Sequence, residues 1–362
     1  MSSIQISCVV GARPNFIKMS SIFEEIRRRK RFAGRLIHTG QHFSPEMSDT
    51  FFTDLRMPQP DEHLNVPPGT QTTQTAHIMQ SLERSFTEHR PHLVLVVGDV
   101  NSTLAAALVA AKLEIPIAHV EAGLRSFDRR MPEEINRIVT DALSDYLFVS
   151  ESSGLRNLLA EGVSKDGTFF VGNVMIDTLL RFRKQASQSD ILQRLGLEPA
   201  SYAVATLHRP ANVDDAERLR GLTGALTRLA ERIPVVFPVH PRTRRRMEES
   251  GMAAAGLLLT PPLGYLDFLR LTSEARVVLT DSGGIQEETT ILGVPCLTLR
   301  ENTERPVTTE VGTNRLVGID PEDALKAALD VLNGQPVRGR IPELWDGHAS
   351  ERILDVIEER VG

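Results

Sequence analysis

The chain is poor in cysteine. Its 362 residues hold two, Cys8 and Cys296, both inside apolar strand-like runs. Two thiols so placed give no disulfide framework; they read as buried free thiols of a protein kept in the reducing cytosol. Membrane-spanning runs are missing too: no apolar stretch approaches the roughly 18 residues a span requires. The first residues, MSSIQISCVVG, enter a strand with no charged n-region or cleavage site, so a cytoplasmic location is expected. Positive charge is not in excess. The net charge of -6 leaves no basic footprint for nucleic acid. Any anionic ligand must be held by local arginines and helix ends. Several chemical signatures are absent. Without G-x-G-x-x-G or a P-loop, a dinucleotide site has little support. Without H-E-x-x-H, and with the cysteines far apart, no metal site is expected; His38 and His42 in HTGQH do not change that. Without G-x-S-x-G, acyl transfer has no support. No cofactor is implied.

What is present is ordinary globular composition, 41% hydrophobic and 24% charged, in a length that suits two domains. Short Val/Ile/Leu-rich runs alternate with helical patterns. In the first half they are ISCVVG, RLIHTG, LVLVVGD, PIAHVE, YLFVS and TFFVGN. In the second they are YAVATLH, VVFPVH, LLLT, RVVLTD, VPCLTL and RLVG. Near-continuous apolar strands separated by helices predict parallel sheets covered on both faces. The fold class is therefore α/β, with two doubly wound Rossmann-like domains. The polar segment KQASQSD after Arg183 is the candidate linker, with the hinge nearer Gly172–Asn173. The domains expected are residues 1–172 and 173–347.

In open α/β sheets ligands sit at the carboxyl ends of strands. Two such edges set face to face would form a polar central cleft. In TDSGGIQEE, Ser282, Gly283 and Gly284 fall at a helix N-terminus, where free N–H groups favour phosphate. Glu288, a turn further on, could take a ribose diol. A plain turn capped by Ser282 is the alternative. In GARPNFIK, Arg13 and Lys18 lie about one and a half turns apart on a helix opened by Pro14 and could reach one anion; solvent-facing basics are the alternative. Asp99 in GDVNST could cap the helix after it. Glu121 ends the next strand, and Glu133 and Glu134 open a helix, where first-turn glutamates are ordinary dipole partners. Capping does not explain acids at two adjacent strand ends. Convergence of Asp99, Glu121 and Glu133 or Glu134 would perturb their pKa values and supply an acid and a base. His208 in LHRPAN and His240 in VHPRT end two strands of the second half as candidate proton donors.

Together, GARPNFIK, TGQHF, GDVNST, HVEAGLR, MPEEINR, LHRPAN, HPRT, TDSGGIQEE, TERP and GTNRLVG resemble the non-hydrolysing UDP-N-acetylglucosamine 2-epimerases. Each motif is weak alone; their order along nearly the whole chain is specific. The resemblance implies a glycosyltransferase-B-like pair of domains, with residues 348–362 returning to the first. It implies interconversion of UDP-N-acetylglucosamine and UDP-N-acetylmannosamine through proton loss at C2 and departure of UDP. It assigns Asp99, Glu121 and Glu133 to acid/base work and His208 to the neighbourhood of the sugar and phosphates. Arg13, Lys18, Ser282, Gly283, Gly284 and Arg305 would hold the diphosphate or its surroundings, Glu288 the ribose, and Phe268 would pack near the uracil. Gln41, His42 and His240 match a region that helps bind a second, activating substrate in many bacterial members. A UDP-sugar is the partner implied, with no nucleic acid and no membrane, in a homodimer.

The pattern also departs from the commoner bacterial one. GARPN replaces GTRPE, HRPAN replaces HRREN, TERPV replaces TERPE, and Leu263 stands where Gln is usual. NVPPGTQTTQT lacks the Arg-Gln pair of the activating site. The stretch GLRSFDRRMPEEINR also resembles relatives that epimerise UDP-2,3-diacetamido uronic acids. A glycosyltransferase-like binder without epimerisation is the reading from another class; an acceptor groove and one base would suit it better than several acids.

Overall fold

The computed structural model describes residues 3–41, 52–252, 254–334 and 339–362. His42 lies outside them. The chain divides into two compact units, Met1–Arg181 with Glu343–Gly362, and Phe182–Pro342.

In the first unit the described residues form a parallel sheet of seven strands: β1 Ile4–Val10, β2 Phe32–His38, β3 Glu62–His63, β4 Leu93–Val97, β5 Ile117–Val120, β6 Tyr146–Val149 and β7 Thr168–Phe170. Their order is β3-β2-β1-β4-β5-β6-β7. Ile4 pairs with Phe32 of β2 on one side of β1, and Ile6 with Leu93 of β4 on the other. The winding therefore reverses between β1 and β4, which is where such sheets take ligands. The strands consist of apolar residues because both faces are covered. Every residue of β4 is buried. Over one face lies the alanine-rich helix Asn101–Lys112, whose Ala106, Ala107 and Ala110 share a core with Ile78, Leu82 and Phe86. Those last three recur at four-residue spacing on the helix Gln71–Glu88, forming its buried stripe. The C-terminal helix Ala349–Val361 docks through Asp177, whose carboxylate accepts N–H bonds from Ala349 at 3.1 Å and Ser350 at 2.6 Å.

The second unit carries six parallel strands among its described residues: β8 Ala203–Thr206, β9 Val235–Pro238, β10 Leu257–Thr260, β11 Val277–Thr280, β12 Cys296–Thr298 and β13 Asn314–Leu316. The order is β10-β9-β8-β11-β12-β13, with the reversal between β8 and β11. Alternation along the strands builds two cores. Ala203, Ala205, Val235, Phe237, Val277 and Leu279 enter one with Leu222 and Ala328. Val204, Val236 and Val278 enter the other with Phe268, Leu271 and Ile285. Successive side chains point to opposite faces, so strands buried on both faces have no polar phase.

Twelve strands fall where the apolar runs predict them. The two-residue β3 has no apolar run and was not anticipated. The segment KQASQSD is helical at its start: Lys184, Gln185 and Ala186 end the helix Val174–Ala186. No helix among the described residues is long and apolar enough to cross a membrane.

Candidate active site

At the switch point of the first sheet, β1 leads through Gly11 and Ala12 into the helix Arg13–Arg28, which Pro14 opens. Asn15, which with Ala12 departs from the commoner bacterial pattern, ties this junction together. Its side-chain oxygen accepts the N–H groups of Gly11 and Ala12, both at 3.2 Å, and its amide donates to the carbonyl of Val97 at the end of β4 at 2.9 Å. A carboxylate in its place could only accept. One turn on, Lys18 is turned inward and buried, and its ammonium pairs with Glu121. Arg13 is half-buried at the helix start.

Glu121 follows β5 with φ 76°, in the left-handed region. That conformation costs a non-glycine residue on the order of 1–3 kcal/mol and persists only where the surroundings enforce it. Here the Glu121 N–H donates to Phe148 of β6 at 3.0 Å, and Lys18 holds the carboxylate. Gly98, at φ 69°, leaves the space: a Cβ there would lie 2.9 Å from Lys18 Nζ and 3.3 Å from Glu121 Oε2.

Asp99 does not cap the helix that follows. The cap position is Val100, with no side-chain cap bond, and Asp99 instead accepts from Arg137 Nη1 at 2.6 Å. Arg137 is buried and also donates to Glu134, at 2.8 Å from Nη2. Glu134 is itself buried; its two oxygens accept the N–H groups of Ser126 and Phe127, each at 2.9 Å. Of the two glutamates that open the helix Pro132–Leu143, Glu134 thus anchors the loop after β5, while Glu133 is half-buried at its surface. The charge gathered in HVEAGLRSFDRRMPEEINR is neither a solvated loop nor a set of bare acids: cations meet Asp99, Glu121 and Glu134. Gln41 closes this edge, accepting from Ser102 N at 3.0 Å and Ser102 Oγ at 2.7 Å.

The second unit repeats the arrangement with different groups. His208 follows β8 and Asp281 follows β11, and His208 Nδ1 lies 2.7 Å from Asp281 Oδ1. Asp281 is fully buried and also accepts the N–H groups of His208 at 3.0 Å and Arg209 at 2.9 Å. Burial opposes its charge, but His208 and these N–H groups outweigh it and hold the carboxyl below its ordinary range. A carboxylate that fixes Nδ1 leaves Nε2 to face a ligand. The His240 ring is 6.4 Å from that of His208, and its Nδ1 accepts from Arg242 N at the start of the helix Pro241–Glu249.

Beside this pair opens the helix Gly283–Leu292. Ser282 is its cap residue but makes no side-chain cap bond, so a simple serine-capped turn is not what is built. Arg305 is buried, bound to Glu287 at 2.8 Å and Glu304 at 2.8 Å, and Arg300 also meets Glu304. A Cβ on Gly283 would stand 2.8 Å from Glu304 Oε1 and 3.0 Å from Arg305 Nη1. Arg305 therefore lies directly beneath the glycine turn, a support rather than an open cation. Glu288 is buried one turn in, and Phe268 is 9% exposed within the core beside Ile285. Among the described residues no group of three or more His, Cys, Asp or Glu is placed to hold a metal ion.

Sequence reasoning gave no site role to Asn15, His119, Arg137, Asp141 or Asp281, although all but Asp141 stood inside quoted motifs. Their roles depend on partners across the fold, and nothing adjacent in the chain announces them.

Two doubly wound parallel sheets, each with ionisable groups gathered at its switch point, define the glycosyltransferase-B-like class. Phytolacca americana UGT2 shares the fold alone, at 13% identity over 99% of this chain and all of that one with TM-score 0.60. Within that class the chain belongs to the UDP-N-acetylglucosamine 2-epimerase family, whose model matches residues 24–358. It is 40% identical to the UDP-N-acetylglucosamine 2-epimerase of Methanocaldococcus jannaschii, over 98% of this chain and 99% of that one. The crystal structure of that enzyme in complex with UDP-GlcNAc and UDP superposes with TM-score 0.92, covering 98% of this chain and 100% of that one. It is also 40% identical to the UDP-2,3-diacetamido-2,3-dideoxy-D-glucuronate 2-epimerase of Pseudomonas aeruginosa, over 98% of this chain and 99% of that one.

Proposed function

We propose that the chain interconverts UDP-N-acetylglucosamine and UDP-N-acetylmannosamine without net hydrolysis. A carboxylate takes the C2 proton, the C2–H electron pair becomes the C1=C2 bond of 2-acetamidoglucal, and the C1–O pair leaves with UDP. UDP then re-adds at C1 and a proton returns to the opposite face of C2. Asp99, Glu121 and Glu133 are the acid/base candidates. His208, oriented by Asp281, serves the sugar and phosphates. Arg13, Lys18 and the backbone N–H groups of Ser282, Gly283 and Gly284 serve the diphosphate, as helix N-termini do. Glu288 serves the ribose, Phe268 flanks the uracil, and Arg305 acts from beneath Gly283.

The observation that carries this reading is Glu121. A buried carboxylate in a strained backbone, held in place by Lys18 at the sheet's switch point, is a group positioned for proton transfer. The same reading includes a homodimer in the cytoplasm; the buried thiols of Cys8 and Cys296 suit a reducing compartment.

A second substrate has its own support. The Pseudomonas relative is identical to the same degree as the Methanocaldococcus one, and Arg129 stands exposed on the loop that Glu134 anchors, where a cation suits a uronate carboxylate; Arg130 beside it is paired with Asp128 at 2.8 Å. Incubation with each UDP-sugar in turn, with products resolved by NMR, separates the two. UDP-N-acetylmannosamine from UDP-N-acetylglucosamine supports the first; turnover of the diacetamido uronate alone overturns it in favour of the second.

A further inference from the structure

His119 is wholly buried in β5, and both of its ring nitrogens are engaged. Nδ1 lies 2.7 Å from Asp141 Oδ1, and Nε2 lies 2.9 Å from the carbonyl oxygen of Gly98. A carbonyl can only accept, so Nε2 carries a proton. Asp141 is an acceptor as well: its Oδ2 receives Arg125 Nη1 at 2.7 Å and the Gly123 N–H at 3.0 Å. Nδ1 must then donate too. Arg125 continues the chain of charge, placing Nε 2.8 Å and Nη2 2.6 Å from the two oxygens of Glu161.

The Glu161 side chain is 39% exposed, so the buried part of the cluster is His119, Asp141 and Arg125. The two acceptors on the ring, Asp141 and the Gly98 carbonyl, call for a proton on each nitrogen. Burial pushes the Asp141 carboxyl up, but His119 and Arg125 prevail and hold it below its ordinary range.

The position of this ring matters for the site. Gly98, whose carbonyl it grips, precedes Asp99 and lies under the Lys18–Glu121 pair. His119 itself stands two residues before Glu121 in the strand. One side chain thus ties the end of β4, the end of β5 and the helix Pro132–Leu143 that carries Arg137, the partner of Asp99.

We propose that His119 is a positioning residue whose ring, donating from both nitrogens to Asp141 and the Gly98 carbonyl, sets the spacing of Asp99 and Glu121. This rests on the acid/base roles given to those two acids. His119 touches no reacting atom.

Nitrogen-15 NMR of histidine-labelled protein tests the charge. The expected result at pH 7 is one ring with protons on both nitrogens, its signal lost in His119→Gln. A neutral ring with one protonated nitrogen at pH 7 overturns the proposal. Kinetics test the positioning. His119→Gln can donate to Gly98 or to Asp141 but not to both, and kcat is expected to fall about 10–100-fold with KM little changed, as for misplaced catalytic groups. Wild-type kcat overturns it.

If His119→Gln does not fold, Asp141→Asn serves for both readings. It keeps the shape, removes the charge that holds the proton, and is expected to neutralise the ring and lower kcat in the same way. An imidazolium that persists in Asp141→Asn with kcat unchanged overturns the proposal. Should the wild-type chain prove inactive on both UDP-sugars, the functional reading fails while the NMR result still decides the charge.

Discussion

Replacing Lys18 with methionine tests the site through stability. The Lys18 and Glu121 side chains are 5% and 3% exposed, so the change keeps the stem and leaves a buried carboxylate without its ammonium. Breaking a buried pair from one side costs about 3–5 kcal/mol, because desolvation of the remaining charge is no longer offset. A unit of this size loses about 2–4 °C of melting temperature per kcal/mol, so the first unit should melt about 6–20 °C lower. Lys18→Met combined with Glu121→Gln removes both charges. It should cost less than the sum of the single changes by about 0.5–3 kcal/mol. Scanning calorimetry of the four proteins closes the cycle. A Lys18→Met melting point within about 2 °C of wild type, with an additive cycle, would refute a buried, coupled pair.

Other outcomes follow from the same geometry. Asp99→Asn, Glu121→Gln and Glu133→Gln should each fold and lose about 10²–10⁴-fold in turnover, measured by product NMR; wild-type turnover in all three removes the acid/base assignment. Asp141 and Asp281 have folded pKa values held below their unfolded ones, so their stabilisation is present above the unfolded value of about 3.9 and is lost as pH falls through the folded values. Melting temperature should therefore fall below about pH 4, and Asp281→Asn should flatten part of that slope. Burial pushes the Cys296 thiol up to about 11 and Cys8 higher still, so a thiol reagent at pH 8 should label neither until denaturant is added.

The positions of the site residues were legible in the sequence; their partners were not. GDVNST, HVEAG, LHRPAN and TDSGG read as strand ends because apolar runs stop there, and parallel sheets gather strand ends on one edge. Pairing is another matter. Lys18 and Glu121 are 103 residues apart, and His208 and Asp281 are joined only because β8 and β11 are neighbours across the switch point. Nor does the sequence announce that Arg137 joins Asp99 to Glu134. The helix Gln71–Glu88 starts where Thr70 caps it, accepting the Thr73 N–H. Strand β3 escaped notice because an edge strand of two polar residues has no apolar pattern to read.

The central claim is proton abstraction at C2, and solvent exchange reads it most directly. The chain would be incubated with UDP-N-acetylglucosamine in deuterated water and followed by proton NMR. The account predicts UDP-N-acetylmannosamine, with deuterium entering C2 of the nucleotide sugars as the epimers equilibrate, and loss of that exchange in Glu121→Gln. Epimerisation with the C2 proton fully retained, or exchange undiminished in Glu121→Gln, would contradict it.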